Sequence, residues 1–357
     1  MNRTRTTPGD PPGDDLIDEL SRIPAADGAP LMVLRRRRVA GPARRPAVLL
    51  VHGIAMNRRF WDLPGRSFQT YLARAGFDTY NVELRGHGLS RAAGSAHPES
   101  LEAYIDHDVP AVIDAILARR DVAQLHYVGH SLGAMIGYAQ EPRRMNRLAS
   151  FVSLAGPYAF ADGSPALRGA AVVGHRLARA PGLRGVLGTP VAADRGVRWV
   201  HRLFLELDRV GMDPPIWWWA PRTIERPLLS AVMRESFDRT SLEIFAHLAE
   251  MGARRRFASR GGARDHAVAI EKFRAPMLFI TGGRDRLVGP GAVRPAYERA
   301  KSARKEFLVL GPPDQRWAFG HLDLVVGRHA PVEVWPRVLA WLDEHGANAR
   351  RQRSARS

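Results

Sequence analysis

At 357 residues with 45% hydrophobic content, the chain can bury one large α/β domain plus an inserted subdomain, and it is too apolar to be a disordered protein. It has no cysteine, which excludes disulfides and thiolate metal sites and fits a reducing compartment. The net charge of +17 invites a nucleic-acid reading, but only three of the 53 basic residues are lysine and the arginines are spread along the whole chain. A solvated basic surface therefore accounts for the charge and no nucleic acid is expected; contact with an anionic membrane surface is the second reading of runs such as Arg35 to Arg38 and Arg254 to Arg256.

In chain order, residues 1–28 open with a polar, Pro/Gly-rich stretch without an apolar h-region, and read as a flexible N-terminal segment. No run approaches the roughly eighteen apolar residues of a membrane span, so a soluble, non-exported, cytoplasmic protein is expected. Within 29–155, strand-like runs at 31–35, 46–51, 78–84, 124–129 and 150–155 alternate with helical patterns near 65–75, 100–119 and 131–140. The alternation lapses over 156–264, a Gly-, Pro- and Arg-rich block that reads as a helical cap inserted between core strands. It resumes over 265–346, with strands at 276–281 and 306–310 and helices at 292–301 and 332–345, and residues 347–357 read as a disordered basic tail. This order predicts an α/β fold: a mostly parallel sheet flanked by helices, with the cap over the carboxyl ends of the strands, where ligands bind in such sheets.

The run Gln124 to Gly129 closes on Gly129-His130-Ser131-Leu132-Gly133 and gives way to a helical pattern. Strand, sharp turn and helix are the context that a G-x-S-x-G pattern requires, and Ser131 at the tip is the candidate nucleophile. A serine hydroxyl needs a histidine to take its proton and a carboxylate to hold that histidine. Asp285 ends the strand, turn and acid stretch Pro276 to Asp285, where the plain alternative is an aspartate closing a turn.

His321, one of thirteen histidines, lies in Phe319-Gly320-His321-Leu322-Asp323 between the last strand and the last helix. It completes the order Ser, Asp, His. His329 is its rival, His345 is better explained by a helix C-terminus, and Asp323 is read as structural. Two backbone amides would stabilise the oxyanion: that of Leu132, and that of Ile54 in the turn after Leu50-Val51-His52-Gly53.

Trp217, Trp218 and Trp219 read either as cap core or as substrate contacts; on one helix the three could not share a face. Asp106-His107-Asp108 opens a helical stretch, where acidic residues suit the dipole, and no metal is expected there.

The set His52-Gly53, Gly129 to Gly133, Asp285 and His321 resembles the α/β-hydrolase superfamily across roughly residues 30–345. Within it the chain most resembles the acid-lipase (lysosomal and gastric lipase-like) branch. The resembling stretches are Trp61-Asp-Leu to Gly76-Phe-Asp, Asp108 to Asp114, Gln124 to Ser131, Thr240-Ser241, and His321-Leu-Asp followed by Ala330-Pro331. Two departures stand out: Leu132 follows the nucleophile where those lipases have Gln, and Arg85-Gly-His-Gly-Leu-Ser90 is nearer the general hydrolase pattern. The resemblance implies hydrolysis of lipid-like carboxylic esters through an acyl-serine, with Ser131, Asp285 and His321 as triad and no cofactor. Acyl transfer or thioester cleavage on the same triad, and a non-catalytic binding protein on the same fold, are the alternatives.

Overall fold

The segments Ala47–Val51, Leu125–His130, Leu148–Leu154 and Met277–Gly282 are buried at every position. Such continuous apolar runs suit strands covered on both faces. In the computed structural model, which describes residues 15–39, 46–119, 124–160, 162, 164–179 and 196–354, they are the middle of an eight-stranded sheet. Its strands are β1 (Leu16–Pro24), β2 (Pro30–Arg38), β3 (Ala47–Val51), β6 (Thr79–Glu83), β7 (Leu125–His130), β8 (Leu148–Leu154), β9 (Met277–Gly282) and β10 (Lys305–Leu310). A short ribbon of β4 (Asp62–Leu63) and β5 (Arg66–Ser67) lies outside it. The order across the sheet is β1-β2-β6-β3-β7-β8-β9-β10. The pairs from β6 to β10 are parallel, and the two pairs formed by β2 are antiparallel.

Side chains alternate across this sheet as the pleat dictates. Leu49, Val51, Tyr127, Phe151 and Phe279 join one hydrophobic cluster, while Val48, Leu50, Val128, Val152 and Ile280 join the other. Helices cover both faces: Val109–Leu117 and Pro290–Arg299 contribute to the first cluster, and Phe68–Arg74 and Trp335–Ser354 to the second.

Two expectations at the chain ends are corrected. Residues 16–24, expected within a flexible segment, form β1, which pairs with β2 from Leu16↔Arg38 to Pro24↔Pro30. Charge complementarity explains it: Arg36 Nε lies 2.7 Å from Asp18 Oδ1 on β1, and Arg35 meets Glu19 at 3.2 Å. Arg35 and Arg36 are accordingly only 6% and 3% exposed, not solvated. Arg35 Nε donates to Asp78 at 2.8 Å and Arg36 Nη1 to Asp62 at 2.6 Å, so the outermost hairpin is tied to the core by buried ion pairs. At the other end the last helix continues to Ser354 where a disordered tail was expected from residue 347; residues 355–357 lie outside the described part.

Between β8 and β9 the chain leaves the sheet and forms the helices Pro165–Ala178, Gly196–Val210, Arg226–Ala231 and Leu242–Arg254. Ser164 and Ser241 cap the first and last, accepting hydrogen bonds from Leu167 N–H at 3.2 Å and Glu243 N–H at 3.1 Å. An apolar cavity of about 300 Å³ lies between those two helices, lined by Phe160, Leu167, Leu177, Leu242 and Phe245 among others. The insertion does not interrupt the sheet, because β8 and β9 pair directly from Phe151↔Met277 to Leu154↔Ile280.

Candidate active site

Ser131 sits where β7 turns into the helix Leu132–Tyr138, with φ +53° and ψ −120°. Left-handed backbone costs a serine on the order of 1–3 kcal/mol and persists only where its surroundings over-determine it. Here they do. Its N–H donates to the Leu154 carbonyl at 2.9 Å, and the flanking glycines pass where no side chain fits. A Cβ on Gly133 would run into the Val51 carbonyl, and one on Gly129 into the backbone of Ala134. The turn therefore needs its glycines for close approach, and the serine carries the strain.

Asp285 and His321 meet at the ends of β9 and β10. Asp285 Oδ1 accepts hydrogen bonds from Leu287 N–H at 2.8 Å and Val288 N–H at 2.7 Å. Its Oδ2 accepts from His321 Nδ1 at 2.8 Å, and both side chains are buried. Those bonds fix the imidazole with its proton on Nδ1 and leave Nε2 as the basic nitrogen. The loop that carries His321 lies against the end of β9, where Arg284 N–H donates to the Phe319 carbonyl at 2.9 Å.

His130, beside Ser131, lies within reach of the same loop. Its Nε2–H donates to the His321 carbonyl at 3.1 Å, and the two imidazole rings are 4.7 Å apart. The nucleophile turn and the histidine loop are thus joined through His130. Among the described residues no hydrogen bond joins Ser131 Oγ to the His321 ring; in unliganded hydrolases that bond often tightens only with substrate.

The turn after β3 runs over Ser131, and a Cβ on Gly53 would stand 3.1 Å from Ser131 Cβ. Ile54 follows directly. The Leu132 amide, first of its helix, has no intrahelical acceptor, and the helix dipole adds to its attraction for negative charge. His52 holds the turn from behind: its Nε2 accepts from Leu84 N–H at 3.2 Å and its Nδ1–H donates to the Gly53 carbonyl at 2.9 Å. Complete burial pulls its imidazole down to about 4, so it stays neutral.

Asp323, read as structural, proves to be a fully buried clasp. It accepts from Gly320 N–H at 2.7 Å in the histidine loop, from Ala220 N–H at 2.8 Å in the cap, and from the Thr223 hydroxyl. Burial outweighs these donors and raises its carboxyl to about 7.

The tryptophan triplet is not helical but lies in the loop before Ala220. Trp217 and Trp219 are buried against each other and Phe204, and Trp219 Nε1 donates to Asp208 at 2.8 Å. Trp218 is half-buried and its carbonyl accepts from Leu322 N–H at 2.7 Å, so the triplet braces the histidine loop. His329 stacks on Trp317 at 3.7 Å and His345 packs edge-on to Trp341; among the described residues the histidine bonded to Asp285 is His321. In Asp106-His107-Asp108, Asp108 is taken up by Arg85 Nε at 2.7 Å and Asp106 by Arg264 at 2.7 Å.

The family model described as alpha/beta hydrolase fold matches residues 46–319. The chain belongs to that family. Human gastric triacylglycerol lipase is 32% identical over 154 residues, 40% of this chain and 36% of that protein. Human lysosomal acid lipase/cholesteryl ester hydrolase is 33% identical over 127 residues, 32% of each. The chain thus matches only about a third of the length of these acid lipases. Among solved structures, a thermophilic esterase from Thermogutta terrifontis superposes with a TM-score of 0.58 at 16% identity, over 92% of this chain and 99% of that one. A soluble variant of monoglyceride lipase from Saccharomyces cerevisiae gives 0.58 at 17% identity, over 92% and 97%. These two likenesses establish the α/β-hydrolase fold.

Sequence reasoning missed the bond from His130 and the contacts of the Ile54 turn with the cap, where Asp238 N–H donates to the Ala55 carbonyl. The first had a signal, since His130 occupies the position before the nucleophile. The second had almost none, because all but the Asn57 side-chain bond is made by backbone, at the end of the short helix Val232–Ser236.

Proposed function

We propose that this α/β-hydrolase cleaves carboxylic esters of apolar or lipid-like substrates through an acyl-serine intermediate, with Ser131, Asp285 and His321 as its triad. The observation that carries this reading is the 2.8 Å bond from His321 to Asp285 beside a serine held at φ +53°. The similarity to lipases of lipid esters supports the substrate class.

His321 Nε2 accepts the Ser131 proton as Oγ attacks the ester carbonyl carbon, and the carbonyl oxygen takes up the electron pair. The Ile54 and Leu132 amides donate to that oxyanion. When the carbonyl re-forms, the imidazolium gives its proton to the departing alcohol. Water, deprotonated by His321, attacks the acyl-serine in the same way and releases the acid. Asp285 holds the tautomer and stabilises the imidazolium. Of the tryptophan triplet offered as substrate contacts, Trp217 and Trp219 are cap core, which leaves the half-buried Trp218 as the candidate to meet substrate.

The test is a p-nitrophenyl ester series from acetate to palmitate with wild type and Ser131→Ala, alongside labelling by a fluorophosphonate. The expected result is ester turnover in the wild type, labelling at Ser131, and loss of both in the variant with the fold intact. Equal turnover in Ser131→Ala would remove the proposal. Turnover confined to short acyl groups would leave an esterase and exclude the lipid-like substrate.

A further inference from the structure

Away from the serine, aspartate and histidine, the cap makes a second connection to the chemistry, through the turn that carries Ile54. Met56 and Phe237 form an antiparallel β-bridge. Around it, Asn57 N–H donates to the Ser236 carbonyl at 2.9 Å, Asp238 N–H to the Ala55 carbonyl at 2.8 Å, and Asn57 Nδ2 to the Glu235 carbonyl at 2.9 Å. Cap residues 235–238, where the short helix Val232–Ser236 ends in an extended Phe237, thus lie beside the turn and bond to it.

Between these bonds Ala55 has φ +52°, in the left-handed region that favours glycine. A left-handed alanine must be held by its surroundings. The bond from Asp238 N–H fixes its carbonyl. The Asp238 carboxylate is anchored in turn on the core: Oδ2 accepts from Gly88 N–H at 2.5 Å, and Oδ1 accepts from Arg239 N–H at 2.8 Å and lies 3.4 Å from Arg91. One residue therefore links the cap, the loop after β6 and the turn after β3.

We propose that Asp238 is a positioning residue for the oxyanion: its carboxylate, anchored on Gly88 N–H and beside Arg91, holds in place the main-chain N–H that fixes the Ala55 carbonyl, and so steadies the turn that presents the Ile54 N–H to the substrate carbonyl. This rests on the reading of Ser131 and Ile54 given above. Asp238 touches no reacting atom; it acts through the turn. The cap then contributes to transition-state stabilisation as well as covering the strand ends, because the donor is completed only where residues 235–238 are docked.

Asp238→Ala, Asp238→Asn and Asn57→Ala are compared with wild type in kcat and KM for p-nitrophenyl butyrate. Inhibition by butylboronic acid, which forms a tetrahedral adduct on the serine, and fluorophosphonate labelling of Ser131 are measured alongside. Misaiming an oxyanion donor lowers kcat and leaves ground-state binding alone, so Asp238→Ala should lose about tenfold or more in kcat with KM within about twofold. The boronic acid should weaken in parallel. Asp238→Asn keeps an acceptor for the Gly88 N–H and should recover most of the loss. Asn57→Ala releases the other side of the bridge and should repeat the kcat effect, which keeps the test available if Asp238→Ala does not fold. Unchanged kcat in the folded variants, or a loss of kcat without weaker boronic acid inhibition, overturns the proposal. Labelling at Ser131 with unaffected variants removes this proposal alone, whereas a wild type that is not labelled there removes the reading beneath it as well.

Discussion

The Nε2–H of His130 donates to the carbonyl of His321 at 3.1 Å, so the residue before the nucleophile holds the backbone of the proposed base. His130 is fully buried, and burial pushes its imidazole well below the ordinary histidine range, which keeps the ring neutral. Its ring also packs against that of His321, 4.7 Å between centroids, so its removal frees the histidine loop. One hydrogen bond of this kind is worth about 1 kcal/mol, so His130→Ala should lower kcat about fivefold. KM should stay within about twofold, as steady-state kinetics on a p-nitrophenyl ester would register.

Asp285→Asn should be far more damaging. An asparagine side chain can still accept from the Leu287 and Val288 amides, so the turn survives. It can also present an N–H to His321 Nδ1, which stabilises the wrong tautomer. A fall in kcat of about 10³ to 10⁴ is expected, with thermal stability close to wild type. Comparing melting curves with turnover separates that outcome from simple unfolding.

Backbone strain at Ser131 makes a prediction of the opposite sign for stability. Ser131→Gly relieves a left-handed φ that costs on the order of 1–3 kcal/mol and introduces a glycine penalty of roughly 0.5–1 kcal/mol. The variant should be inactive and yet more stable by about 1 kcal/mol, seen as a higher midpoint in denaturant.

Stability against pH follows from His52. Burial lowers its folded pKa to about 4 from the ordinary 6.5. Between those values the unfolded chain binds the extra proton, so the contribution is present above 6.5 and is lost as pH falls through 4. Protonation would also turn Nε2 toward the Leu84 N–H as a second donor, where an acceptor is required. His52→Asn lacks this titration. The stability gap between wild type and variant should therefore shrink by about 3 kcal/mol from pH 7 to pH 4, read from denaturant melts at each pH.

Legibility in the sequence tracked local physics. Val48 to Val51 and Val128 to Gly129 are recognisable because strands buried on both faces must be apolar throughout. Ser131 is recognisable because its turn needs glycine at two fixed positions. Asp285 and His321 could be placed by order alone, each just after a strand. β1 could not: its residues Leu16 to Pro24 are half-exposed and mixed in polarity, and what holds them is charge pairing with β2, visible only once Asp18 faces Arg36. The cap contacts of Ala55 and Asn57 were illegible for a related reason. Apart from the Asn57 side chain, they are made by main-chain atoms of residues far apart in the chain, and backbone atoms carry no residue code.

The position of β8 next to β9 has a consequence for biosynthesis. As the ribosome releases the chain, strands β1 to β8 can assemble while β8, buried along its whole length in the finished sheet, still presents an unpaired apolar edge. Its neighbour emerges only after residues 155–276 have been made. During that interval the nascent chain is exposed to edge-to-edge association, and the stretch of translation spent on the insertion is where chaperone capture would matter most.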